Sequence, residues 1–234
     1  MQLDFSTFFA EYEQLAANVD RLVEQIKAQH PEEVTCHLGC TDCCYAMFDL
    51  SLIEAMYLNA TFRQRLAEET REAILRRADE ADREAYRIKR RMYKERQKGK
   101  ETEAILKEVG KKRVRCPLLN ESDECALYEE RPITCRVYGV PMAINGEVHT
   151  CALSGFEPGG QYPTVYMDRI QDRLIEMSQR LVQSIPTKHI KLAEVLVPVS
   201  MALLNDYDED YLGIVEPPSS SSAGTNEWII GGES

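Results

Sequence analysis

Four cysteines fall within nine residues of this chain: Cys36, Cys40, Cys43 and Cys44, in the run CHLGCTDCC. Four more follow at Cys116, Cys125, Cys135 and Cys151. A chain that crowds eight thiols into its middle must crosslink them, pass electrons through them or wrap them around a soft metal. That choice limits the fold more than any other feature, because the backbone has to bring these distant positions together.

The compartment narrows the choice. The N-terminal run MQLDFSTFFAEYEQ has no basic segment and is interrupted early by acids, so it does not read as a secretion signal. No apolar run approaches the length of a membrane span. The expected location is the cytoplasm, where thiols stay reduced, and disulfides are disfavoured there. A reduced, Cys-rich chain more often binds zinc or an iron–sulfur cluster. The formal charge of −11 over 234 residues argues against a general nucleic-acid binder.

The apolar pattern predicts a mainly α fold with a small irregular Cys-rich α+β metal-binding module that contains a β-hairpin. Phe5, Phe8, Phe9, Tyr12, Leu15, Val19, Leu22 and Ile26 recur at three- and four-residue steps, predicting an amphipathic helix over residues 1–30 that ends at His30-Pro31. Ser51 and Glu54 form a capping-box pair, so a helix starts near Leu52. Phe62, Leu66, Ile74, Ala78, Ala81, Ala85, Ile88 and Met92 make a narrow stripe that predicts one long charged helix from Phe62 to about Gln97. Gly99 breaks it, and a shorter helix follows over Glu101 to Val109. Asn145-Gly146 between two short apolar pieces signals a hairpin. Two further helices are expected, Val165 to Ile185 and Ile190 to about Asn205, the second carrying Pro198 in its interior against a cost of about 3 kcal/mol. The organisation expected is therefore the first helix, a Cys-rich module from 31–61 and 113–160, a charged helical insertion at 62–112, C-terminal helices at 161–205 and an acidic, disordered tail at 206–234.

Thiolates suit zinc and iron because both accept soft sulfur donors in four-sulfur sites. Spacings of two or three residues let one loop donate several ligands, and Cys116, Cys125, Cys135 and Cys151 can complete the set. Eight thiols match two four-sulfur sites in number. Adjacent residues in extended backbone point to opposite sides, so Cys43 and Cys44 are expected to serve different ions, unless one of them is an outer or redox thiol. Cys44 could equally be a small buried residue. Arg131 and Arg136 lie close to Cys135 and could offset the negative charge of a thiolate site. His37 and His149 adjoin cysteines and are alternative ligands. Cys36-x3-Cys40-x2-Cys43 also has the spacing of a radical-SAM cluster motif, but the strand–helix repeats of such enzymes are missing from the pattern.

The run Cys36-His-Leu-Gly-Cys40-Thr-Asp-Cys43-Cys44, then Cys116-Pro117-Leu118-Leu119, then Cys125-Ala-Leu-Tyr128-Glu-Glu-Arg131-Pro132-Ile-Thr-Cys135-Arg136-Val-Tyr138, resembles the YkgJ-type cysteine-cluster family, described as zinc- or iron-chelating and sometimes as iron–sulfur proteins. The likeness covers residues 36 to 151, the helical insertion excepted. It implies that these cysteines hold Zn²⁺ or an Fe–S cluster, and it does not assign an activity. A longer relative, a flagellin lysine methylase, carries a similar cluster, which implies an alternative: an Fe–S-dependent redox or radical enzyme acting on a protein or peptide. A third reading is a zinc-stabilised interaction module.

The stretch from Phe62 to Arg115 departs from the compact family pattern. It holds 19 of the 28 Lys and Arg residues against 11 acids, a net of +8. Such asymmetry marks either a solvated helix face or an arm for a protein partner over 62–112, with nucleic acid the less expected partner. The same face could instead contact the chain's own acidic tail, with Trp228-Ile229-Ile230 as the anchor.

Overall fold

The computed structural model describes residues 3–215. It is mainly helical with two small sheets, as the periodicities predict. Helix α1 (Ser6–Gln29) buries Tyr12, Leu15, Ala16, Val19 and Ile26, the predicted stripe, although Leu22 is exposed. It ends at His30, whose N–H still bonds Ile26 O.

The strand β1 (Asp49–Leu50) leads into α2 (Leu52–Arg65), and the chain turns into α3 (Glu68–Gln97) two residues after α2 ends. The single long helix predicted from Phe62 is thus two helices. Leu66 and Ala67 are extended (ψ 140° and 151°), and the stripe continues in register across the break. Pattern alone could not find that break, because neither residue is a helix breaker.

Helix α2 is buried on all sides from Leu52 to Asn59, and only its last turn, Arg63–Arg65, is exposed. Leu52, Ile53, Met56 and Tyr57 pack with α1 into one core. Ala55, Leu58 and Phe62 pack into a second core with Ile74 and Ala78 of α3. A helix so enclosed must bury polar groups, and each has its partner. Ser51 and Glu54 close a reciprocal capping box. The second oxygen of Glu54 accepts the N–H of Ile133 at 3.1 Å, which tethers the first turn of α5 (Ile133–Val137). Asn59 donates to the carbonyls of Ala202 (2.9 Å) and Asn205 (3.0 Å), closing the C-terminal end of α7 (Val199–Leu204). Burial raises the Glu54 carboxyl above its ordinary range, opposed by the hydrogen bonds from Ile133 and Ser51.

Helix α4 (Thr102–Val109) follows Gly99, whose φ of +91° turns the chain back. The predicted hairpin is present as β2 (Met142–Ile144) and β3 (Glu147–His149), with Asn145 and Gly146 both at positive φ (52° and 79°). Strand β4 (Val165–Tyr166) joins β2 in parallel, ahead of α6 (Met167–Gln183). The helix expected from Ile190 is not continuous. A 3₁₀ turn over Ile190–Glu194 gives way to β5 (Val197–Pro198), which pairs with β1, and Pro198 becomes the residue before the first turn of α7. Proline is tolerated there because no intrahelical N–H bond is lost.

Residues 206–215, expected to be disordered, are built into the fold. Leu212 is fully buried, Tyr207 and Tyr211 pack edge to face, and Ile214 bridges Thr187. The rest of the predicted tail, with Trp228, lies outside the described residues. Among the described residues no helix is long and apolar enough to cross a membrane.

Glu54→Ala leaves the N–H groups of Ser51 and Ile133 without acceptors in a dry core. Each such group costs about 1–3 kcal/mol, so the variant is expected to lose about 2–4 kcal/mol in urea unfolding. An unchanged midpoint would show that Glu54 does not tether α5.

Candidate metal centre

The cysteine knot begins in a loop that is fixed at both ends. Thr35 Oγ1 donates to Leu153 O (2.7 Å), and Gly155 N donates to Glu33 O (2.8 Å), which lays residues 33–36 along 153–155. Gly39 supplies a turn at φ +91° between Cys36 and Cys40. Asp42–Tyr45 then forms one 3₁₀ turn that carries Cys43 and Cys44. Beyond it, Cys116 N donates to Cys44 O (2.7 Å) and Val114 N to Tyr45 O (3.1 Å), so residues 113–116 zip onto the knot.

A tight loop brings Cys125 back to Cys116. Asn120 Oδ1 accepts the N–H groups of Ser122 (2.9 Å) and Glu124 (2.8 Å), and Leu119 bridges Cys125. Cys135 sits in α5, directly downstream of the Ile133 N–H that Glu54 holds.

The result is one cavity of about 270 Å³ whose wall includes Cys36, Cys40, Cys43, Cys44, Cys116, Cys125 and Cys135. The thiols sort into two neighbouring groups. Cys43 acts electrostatically on Cys44 and Cys135, and Cys116 and Cys125 lie near enough to act on both. Cys36 lies near Cys40, Cys43 and Cys151. Cys151 is outside the cavity wall, with its Sγ 3.4 Å from Asp42 Oδ2.

The adjacent pair is not in extended backbone. In a 3₁₀ turn successive side chains splay by about a third of a turn rather than a half. The geometric reason for assigning the two thiols to different ions therefore falls.

Electrostatics make Cys43 the first thiolate of the group. Hydrogen bonds from Cys135 and Cys44 hold it well below the ordinary thiol range, and the Arg131 guanidinium adds to this against the opposing effect of burial. Donating to Cys43 pushes Cys44 and Cys135 far up. Burial raises Cys116 to about 12 and Cys36 to about 11, and it also raises Cys125 and Cys151. A divalent or trivalent cation would reverse these shifts by replacing the shared protons, since ligating thiols are deprotonated.

The two arginines differ in what they touch. Arg131 stacks on Tyr128, 4.1 Å from the ring centroid, donates to Tyr128 O (2.7 Å) and faces Cys43 and Cys125. Arg136 is buried and spends its fork on Arg131 O (2.8 Å), Glu129 O and Asp20 of α1. His37 lines the cavity, with Nδ1 2.8 Å from Thr35 O. His149 is exposed on β3 and is not on the cavity wall.

Three residues of the site escape a reading of the sequence. Asp42 accepts from Arg113 and from Cys151. Arg113 also donates to Asp42 O (3.0 Å) and stacks over Tyr45. Gly139 packs directly on Cys36: a Cβ there would come 2.5 Å from Cys36 Cβ. Only the Asp42 signal, an acid inside the knot, was visible in the chain itself.

Among the described residues, no three His, Cys, Asp or Glu side chains converge on a ready-made metal position. The donor set nevertheless fits a soft metal, because seven thiols share one cavity.

No curated protein and no solved structure matches the chain. A family model does match, over residues 35–152: CxxCxxCC, "Putative zinc- or iron-chelating domain". That span takes in all eight cysteines, and the chain belongs to this zinc- or iron-chelating family.

Proposed function

We propose that this protein holds a thiolate metal centre, zinc or iron–sulfur, in the cavity between the knot and the 113–135 segment. The observation that carries the reading is that seven cysteines from three separate segments line one space. Cys43, Cys44, Cys116, Cys125 and Cys135 form the inner ligand group, and Cys36, Cys40 and Cys151 an outer one. The metal supplies a crosslink among loops that otherwise meet through a few backbone hydrogen bonds, and ligation of this kind contributes directly to folding. Arg131 offsets the charge of the thiolates, and Arg136 ties the same segment to α1.

A second reading, an iron–sulfur redox or radical enzyme acting on a protein or peptide, draws support from one feature. The cavity reaches the surface at exposed Cys36 and continues along an apolar wall of Met47, Phe48, Ala81 and Ala85.

Anaerobic purification with metal analysis decides between these readings. Visible sulfur-to-iron charge-transfer absorption, lost on reduction, supports the redox reading; colourless protein with stoichiometric zinc removes it. In either case Cys43→Ser, Cys116→Ser and Cys135→Ser are each expected to lose most of the bound metal and to unfold at lower denaturant. Full metal content in all three would refute the ligand assignment.

Gly139→Ala tests the outer group separately. Its methyl displaces Cys36, so metal content or affinity should fall at least about tenfold if Cys36 ligates, equivalent to about 1.4 kcal/mol. Helical content by circular dichroism should be retained. Unaltered metal binding in this variant would place Cys36 outside the ligand set.

A further inference from the structure

Helix α3 has two different halves. Residues 68–84 carry seven acids and four basic residues, whereas 86–100 carry one acid, Glu95, which pairs with Lys98 at 3.1 Å. In the second half Arg87, Arg90, Arg91, Lys94 and Arg96 are exposed and make no ion pair among the described residues. The neighbouring Lys89 is different: it is held by Asp49 at 2.7 Å.

At about 100° per residue, Tyr86, Arg87, Arg90 and Lys94 lie opposite the buried positions Ala81, Ala85 and Met92. Tyr86 and Tyr93 are 60% and 64% exposed and make no ring contact among the described residues. From Tyr86 to Gln97 this face runs about 17 Å along the helix. The macrodipole accounts for cations in the last turn, at Lys94 and Arg96, but its influence fades before Arg87, Arg90 and Arg91.

We propose that the outer face of α3 is a binding surface for single-stranded nucleic acid. Arginine guanidinium groups pair with phosphate oxygens in a planar fork. Exposed tyrosines give unpaired bases a flat partner on which to stack. An acidic peptide would use the cations and leave both tyrosines idle, which is why nucleic acid fits this face better. The overall charge of −11 is an average, and the other parts of the chain are acidic. A long polyanion is therefore held at this face and repelled elsewhere, so contact is short and without sequence preference. Four or five phosphate contacts predict a slope of log affinity against log salt of about −3. The inner side of the same helix places Ala81, Ala85 and Lys89 on the wall of the thiol cavity, but the surface does not depend on which metal is bound there.

The test is fluorescence anisotropy of the full chain, as purified, with a short fluorescein-labelled oligouridylate at tens of millimolar salt. Saturable binding with a salt slope near the value above is expected. Arg87→Glu/Arg90→Glu/Lys94→Glu should weaken it at least about tenfold, with circular dichroism unchanged because all three side chains point away from the core. Tyr86→Ala/Tyr93→Ala should weaken it several-fold and leave the salt slope intact. No binding, or binding indifferent to the charge reversals, overturns the proposal. So does binding of labelled polyglutamate without binding of oligouridylate, which would make the partner an acidic protein. Tyrosine variants that bind normally would overturn the stacking contact and with it the choice of nucleic acid.

Discussion

The enclosure of α2 is the constraint on which the other elements depend. Its two sides complete two cores, one with α1 and one with α3. Complete burial is affordable only because Glu54 and Asn59 find partners on α5 and at the end of α7. An unpaired carboxylate or amide at these depths would cost several kcal/mol. The same two bonds set the position of neighbouring segments. Glu54 fixes the start of α5, and so the height at which Cys135 stands. Asn59 draws in α7, which sits beside β5 and the far wall of the cavity.

The thiol cavity is built from what that frame leaves over. Its walls are short loops held by main-chain bonds such as Cys116 N to Cys44 O and Gly155 N to Glu33 O. Leu118 and Leu127 anchor the loop that follows Cys116 in the core shared with α2 and α3. Arg131 favours negative charge at Cys43, beside Cys44 and Cys135. A zinc- or iron-chelating family is thus served here by a division of labour. An apolar helical frame packs around α2, and beside it lies a seam lined by cysteines.

Much of this was legible in the chain. The α1 stripe, the capping box at Ser51 and Glu54, the Asn145-Gly146 hairpin and the cysteine density all follow from local periodicity and turn chemistry. What failed did so for identifiable reasons. The break at Leu66–Ala67 carries no glycine or proline and keeps the helical phase. Pro198 was placed inside a helix, whereas it begins one, because β5 pairs with β1 and ends the preceding segment. Residues 206–215 look disordered from their acids, yet Leu212 alone is buried deeply enough to hold them. The extended-backbone argument for Cys43 and Cys44 assumed a local conformation that the 3₁₀ turn replaces.

The kinds of element and the chemistry of the site are properties of neighbouring residues, and neighbours are what a sequence displays. Helical stripes, caps, the hairpin turn and a soft-donor set of eight cysteines needed no tertiary information. Contacts between residues far apart in the chain were decided only by folding. These include the burial of α2 between two cores, the gathering of seven thiols around one cavity, and the pressing of Gly139 against Cys36. They depend on the packing of whole helices, whose relative positions are set by volume and by a few buried hydrogen bonds rather than by any local pattern.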